Sequence, residues 1–208
     1  MKLTDKIYID YKNIKINIFS PITILILYLN ETIESALLIF SAVLIHEFGH
    51  LFASSLLYVK IRYFVFEPFG CTLYIDEYTN YKKEILVALS GPIIGLLTSL
   101  LCLLLMKNLS SIYLFYFMIL NLVYSLINLI PCSELDGGRI IEAYFYLRYD
   151  IYTAYKNTEL INYISSVLLI ALLLIICFKT GFNFSLTTLC FFIIIIFPNK
   201  KRKAKIQI

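Results

Sequence analysis

The sequence predicts an all-α polytopic membrane protein of about six transmembrane helices, with a small β-hairpin between the second and third. Three observations carry this expectation: an apolar composition, apolar stretches of spanning length, and an uneven distribution of basic residues. Of the 208 residues, 60% are hydrophobic and 15% charged, and the mean hydropathy is +0.82. Ordinary globular domains average about 45–50% apolar and about 25% charged residues. A chain this short cannot bury so much apolar surface in itself, so lipid must serve as its solvent.

Apolar segments run over 16–29, 35–58, 85–106, 112–131, 160–178 and 182–198. A span needs about 20 residues, with a lower limit near ~17. The first and last segments are therefore short, and cross only if tilted or extended by neighbours. Six crossings from a cytoplasmic N-terminus place residues 1–15, 59–84, 132–159 and 199–208 inside. These segments hold all of the 18 Lys and Arg except Lys107 and Lys179, the asymmetry that the positive-inside rule expects. Both termini are thus assigned to the cytoplasm of a multi-pass protein in the cell membrane. The whole of 1–208 is read as a single membrane-embedded domain, with 1–15 as N-terminal segment, 59–84 as a surface loop and 199–208 as a basic tail.

Within that loop, Lys60-Ile-Arg-Tyr-Phe-Val-Phe-Glu67 alternates, Pro68-Phe-Gly70 turns, and Cys71-Thr-Leu-Tyr-Ile-Asp76 alternates again, a hairpin pattern. The run Lys200-Lys-Arg-Lys203, with Lys205, is the kind of cluster that anchors a chain near anionic lipid. The bilayer, and not nucleic acid, is its expected partner. Five cysteines (Cys71, Cys102, Cys132, Cys177 and Cys190) form no CxxC pair, which argues against a disulfide framework or a cysteine metal site.

The second apolar segment contains His46-Glu47-Phe48-Gly49-His50. The period of the helix stacks His46 and His50 on one face, so two imidazoles can reach one metal ion. Glu47 beside them can accept a proton from water, as in zinc hydrolases. A charge at the bilayer centre costs about 2.5–3.5 kcal/mol even on lenient scales. Ionisable groups there face a protein interior or a cavity and mark function. The two histidines are the only ones in the chain.

A tetrahedral catalytic zinc needs a third protein ligand and an open position. With no further His and no Cys cluster, a carboxylate is expected. The best placed lies in Asn128-Leu-Ile-Pro131-Cys-Ser-Glu134-Leu-Asp136-Gly137-Gly138-Arg139, where Pro131 ends a helix and paired glycines allow close backbone approach. On spacing alone, Asp136 could equally be a solvated residue of a plain turn.

HExxH in one apolar segment, followed by N-x-x-P-x-x-x-L-D-G-G at the end of a later one, resembles the site-2 protease family of intramembrane metalloproteases. The resemblance covers about residues 35–145. It implies one zinc per chain bound by His46, His50 and Asp136, with Glu47 as general base in hydrolysis of a membrane-associated or transmembrane protein substrate. Glu134 stands where the family tends to carry an apolar residue or Pro, and is a rival ligand. The Ser90-Gly91-Pro92 element is similar to one in the family that is commonly followed by Asn; here Gly95 takes that place. Gly91, Pro92 and Asn128 are the candidate substrate-binding residues. Within the family, the short form with six helices and no inserted PDZ domain, which this chain resembles, is similar to the sporulation stage IV FB group, which processes a membrane-associated precursor of a transcription factor; regulatory membrane proteins are further expected partners. Two alternatives stay open: a non-catalytic membrane metal-binding or scaffold protein, and a metalloprotease with a cytosol-facing site whose third ligand is Glu142. A His₂-carboxylate set would also accept other divalent metals.

Overall fold

The structure, a computed structural model, describes residues 8–11, 14–17, 32–67, 70–75, 80–133 and 135–180. The chain packs as two compact units, residues 1–126 and 127–208.

The first unit contains four short strands and most of three helices. Strands β1 (Tyr8–Tyr11), β2 (Ile14–Asn17), β3 (Ile61–Glu67) and β4 (Gly70–Ile75) form one sheet in that order. β1 pairs antiparallel with β2, β2 parallel with β3, and β3 antiparallel with β4. The fold is therefore not purely helical. Ile16 and Asn17, expected to open a helix over 16–29, lie in β2; Ile14-Lys15-Ile16-Asn17 alternates apolar and polar, a period of two that suits a strand. The remainder of that segment, the 182–198 segment, the basic tail and Glu134 lie outside the described residues.

Helix α1 (Ile33–Leu56) starts at Thr32, whose hydroxyl accepts from the Ser35 N–H at 3.3 Å, an N-cap that pairs an otherwise orphan donor. It ends where Tyr58 adopts φ 53° and the N–H groups of Tyr58 and Val59 donate to the Ser55 and Ser54 carbonyls at 3.2 and 2.8 Å, a Schellman-type stop. The Lys83 ammonium donates to the Leu57 carbonyl at 2.9 Å, so the start of the next helix caps the end of this one. Helix α2 (Tyr81–Leu105) is itself capped by Asn80, whose side chain accepts from the Lys82 N–H at 2.9 Å. Helix α3 spans Ile112–Asn128.

These helices are turned inside out relative to a soluble bundle. Along α1 the exposed stripe is Leu37, Phe40, Leu44, Phe48 and Phe52, while Ala42, His46, Gly49, His50 and Ser54 are buried. On α2 the buried residues include Ala88, Gly91, Pro92, Gly95 and Ser99. Small and polar side chains inside and large apolar ones outside is the pattern expected in lipid, where close backbone packing replaces the hydrophobic drive between helices. Helices Ile33–Leu56 and Tyr81–Leu105, and residues Ile151–Ile176 of the second unit, are long and apolar enough to cross a membrane. Ile112–Asn128 is apolar but shorter.

In the second unit, helix α4 (Asp136–Arg148) packs against α5 (Ile151–Thr180). Residues 132–159, expected as a cytoplasmic segment ahead of a helix at 160, instead contain α4, and α5 starts at Ile151. Lys156, Asn157 and Glu159 interrupt the apolar run there, so hydropathy undercounts a helix whose inward face is Ala154, Thr158 and Ser166, all buried. The free thiol of Cys132 lies 3.2 Å from the Ser166 hydroxyl.

Asp150 opens α5, its carboxylate accepting from the Thr153 N–H at 3.0 Å. Hydrogen bonds from Thr153, side chain first, hold this carboxyl below its ordinary pKa. A group whose folded pKa is depressed stabilises the fold above its unfolded value and loses that effect as pH falls through the folded one. The protection of the Thr153 and Ala154 amides, taken relative to their intrinsic exchange at the same pH, is therefore expected to fall as pH drops below the usual aspartate range. Asp150→Ala should show the reduced protection already at neutral pH; equal protection in both proteins at neutral pH would refute the cap.

Candidate metal centre

The first unit places the two histidines where their spacing puts them, one turn apart on the buried face of α1. His46 and His50 are 2% and 3% exposed, and their Nε2 atoms lie 3.2 Å apart. Two nitrogens bound to one zinc at about 2.0–2.1 Å in a tetrahedron are about 3.3 Å apart. The pair thus has the separation that a shared zinc demands, and the donor type fits the ion. The rings meet nearly edge to face, with centroids 4.9 Å apart at 79°.

Each ring has a neighbour of its own. His50 Nδ1 lies 2.7 Å from the Val87 carbonyl oxygen of α2. A carbonyl only accepts, so Nδ1 carries the proton and Nε2 of the neutral ring presents a lone pair. An outer partner of this type fixes the tautomer and orientation of a metal-binding imidazole. His46 rests against Tyr124 of α3, centroids 4.8 Å apart and planes at 77°. Glu47, half-buried, follows His46 by one residue, about 100° around the helix.

The approach of α2 to this face is set by glycines. A Cβ on Gly49 would lie 2.7 Å from the Ser90 carbonyl oxygen and 2.9 Å from the Gly91 Cα. One on Gly91 would collide with His50 Nε2 and come within 2.8 Å of His46 Nε2. Backbone therefore crosses backbone here, and the hydrogens of Gly91 face the imidazole nitrogens. Pro92 is fully buried beside it. One turn on, a Cβ at Gly95 would collide with the Ser125 hydroxyl of α3.

The second unit holds the other predicted residues. α3 ends at Asn128, which is buried. The N–H groups of Cys132 and Leu135 donate to the Ile130 and Cys132 carbonyls at 2.7 and 2.9 Å, shaping the turn around Pro131. The paired glycines are needed because a Cβ on Gly137 would strike the Leu129 and Ile130 carbonyls, and one on Gly138 the Cys132 carbonyl. This packing seats Asp136 in the first turn of α4, 7% exposed, where the helix N-terminus favours a negative charge. The Arg139 guanidinium, equally buried, lies 3.6 Å from its carboxylate. Glu142 is half-buried and, six residues along the same helix, points about 120° away from Asp136. Tyr124 and the Val87 carbonyl went unmarked in the sequence. An aromatic in an apolar helix carries no motif, and a backbone carbonyl has no residue type to signal it.

Comparison with known proteins adds to this geometry. Residues 105–172 match Peptidase family M50, a region that includes Asn128 and Asp136 but not the histidine pair. A zinc metalloprotease of Methanocaldococcus jannaschii is 28% identical over 143 residues, covering 66% of this chain. This chain spans only 41% of the length of that relative. The solved site-2 protease of the same organism shares the fold with a TM-score of 0.60 at 23% identity, over 89% of each chain. The resemblance to the site-2 proteases drawn from the two motifs is borne out by these matches.

Gly91→Ala puts a methyl group where the two ring nitrogens converge. Zinc affinity of the purified protein, measured by chelator competition, should fall by about 100-fold, the upper end of what disturbing the surroundings of a metal site costs. Affinity equal to wild type would show that the rings do not share an ion against this backbone.

Proposed function

We propose that the chain is a membrane zinc metalloprotease that hydrolyses a peptide bond of a membrane-associated or transmembrane protein. The observation that carries the reading is the buried imidazole pair with both Nε2 atoms 3.2 Å apart on an otherwise apolar helix. His46, His50 and Asp136 would hold the zinc. In support, all three side chains are buried, and imidazole and carboxylate are donors that zinc takes. The match to Peptidase family M50 and the likeness to a zinc metalloprotease point the same way.

Zinc, when bound, supplies a Lewis acid that polarises a peptide carbonyl and acidifies water. The chain's own residues do the rest. Glu47 takes a proton from the attacking water and returns it to the leaving amine. The Val87 carbonyl and Tyr124 keep the imidazoles in place. The carboxylate of Asp136 balances the charge of the ion, and Arg139 balances that of Asp136. Asn128, Gly91 and Pro92 are the residues proposed to meet substrate. A substrate helix must unwind before attack, since its carbonyls are already hydrogen-bonded. β4 ends the described sheet and could take up the freed strand by backbone pairing.

The reading extends to a single domain that crosses the cell membrane six times, with both termini in the cytoplasm. The distribution of Lys and Arg supports that topology. The similarity of the short form to the sporulation stage IV FB group makes a membrane-associated precursor of a transcription factor the proposed substrate class, with membrane proteins as regulators.

Metal content of the full chain in detergent tests the assignment. Wild type is expected to hold about one zinc. Glu47→Gln should keep the metal while losing about 10²–10⁴-fold in cleavage rate. Asp136→Ala should lose metal, whereas Glu142→Ala should not. Folded wild type without zinc would favour a scaffold role, and loss of metal in Glu142→Ala alone would move the third ligand there.

A further inference from the structure

Where α2 meets α3, next to the histidine pair, two buried side-chain oxygens are left unsatisfied by the described residues. We propose that Asn121 and Ser125 bind an internal water molecule there, in the hollow that Gly95 leaves on α2. Zinc has no part in this site, so it stands or falls separately from the reading of the histidine pair.

Other hydroxyls of the described helices show what is usual. Ser41, Ser54, Thr98, Thr158 and Ser166 each donate to the carbonyl four residues back, at 2.6–2.9 Å, the common way for such a group to be satisfied within a helix. Ser125 departs from this. Its hydroxyl is turned out of α3 into the space where a Gly95 side chain would start, since a Cβ there would collide with it. The residue is 1% exposed, and its oxygen has no hydrogen-bond partner among the described residues. One turn earlier on the same face of α3 stands Asn121, also 1% exposed. Its amide nitrogen donates to the Phe117 carbonyl at 2.8 Å, which leaves Oδ1 as a buried acceptor with no donor among the described residues.

A polar group left unpaired away from water is costly, and lipid offers it no partner. The two oxygens call for a small neutral molecule that both accepts and donates. Gly95, Asn121 and Ser125 carry no charge, which disfavours an ion, and their polar atoms disfavour an apolar guest. Water accepts from the Ser125 hydroxyl and donates to Asn121 Oδ1. Its second hydrogen has an acceptor at hand. The Asn121 carbonyl oxygen lies 3.5 Å from where a Gly95 Cβ would stand, and a carbonyl keeps a second lone pair beyond its helix bond. Three bonds are about the usual number for an internal water. Ser125 follows Tyr124, whose ring rests on His46, so the water bridges groups on the stretch of α3 that backs the histidine pair.

Solid-state NMR of the full chain in lipid bilayers, with magnetisation passed from water protons to the protein, tests the site. The Asn121 side-chain amide should receive water magnetisation although it is buried. The Thr158 side chain, also buried but bonded within its own helix, should receive none. No transfer to Asn121 overturns the proposal, and is the outcome expected if Ser125 and Asn121 bond directly to each other instead. A double variant, Gly95→Ala with Ser125→Ala, locates the molecule. It removes the donor and puts a methyl group in the hollow, at an ordinary 3.5 Å from the Cβ of position 125. Transfer to Asn121 should then be lost; transfer that persists in the folded double variant places the water elsewhere and overturns the proposal too. Should the double variant fail to fold, the comparison of Asn121 with Thr158 in wild type decides alone.

Discussion

The contact on which the histidine centre depends is the crossing of α1 and α2 at Gly49 and Gly91. With no side chain at either position, the Ser90 carbonyl and the Gly91 backbone come against the face of α1 that carries both histidines. The bond from His50 to the Val87 carbonyl and the close backing of both rings presuppose that approach. Were the helices further apart by the width of a methyl group, the Val87 carbonyl would lie beyond hydrogen-bonding reach of His50 and the imidazoles would have no wall behind them. Small residues in lipid are usually explained by helix association alone. Here the same closeness also brings backbone polar groups to a buried pair of side chains.

The two units solve the same problem of placing polar groups in apolar surroundings by different means. In the first, a long helix displays the histidines by periodicity. In the second, the chain breaks at Pro131 and restarts at Asp136, and irregular backbone is tolerated because Gly137 and Gly138 let it pack on its own carbonyls. A carboxylate at a helix N-terminus with Arg139 alongside has its charge balanced locally. That is the condition under which a buried carboxylate is bearable.

How much of this was legible in the sequence follows from which signals are carried by residue type. His46 and His50 share a face because four residues nearly complete a turn, and that reading required only the helix period. Gly91 and Pro92 stood out as residues, but the backbone carbonyl that meets His50 could not, since Val87 is marked by nothing in its side chain. Tyr124 was hidden among the other aromatics of an apolar helix. Periodicity also misled where two patterns overlapped. Ile14 to Asn17 alternate as a strand, yet they run into an apolar stretch that hydropathy reads as one helix. The start of α5 was missed for the opposite reason, because Lys156 and Glu159 dilute a face that is nonetheless buried at Ala154 and Thr158.

The choice of a backbone carbonyl as the partner of His50 has a physical logic of its own. Soluble metal sites often orient their histidines with a carboxylate. In a helix surrounded by lipid, an added carboxylate would bring a second buried charge, at a cost of about 2.5–3.5 kcal/mol before any pairing. A carbonyl adds no charge and is already present at every residue. A carbonyl oxygen has two lone pairs, and the Val87 oxygen accepts from the His50 ring at 2.7 Å and from the Ser90 hydroxyl at 2.6 Å without adding an ionisable group. Gly49 and Gly91 let the two helices come close enough for that bond, so the imidazole is oriented by residues that hydropathy counts as unremarkable.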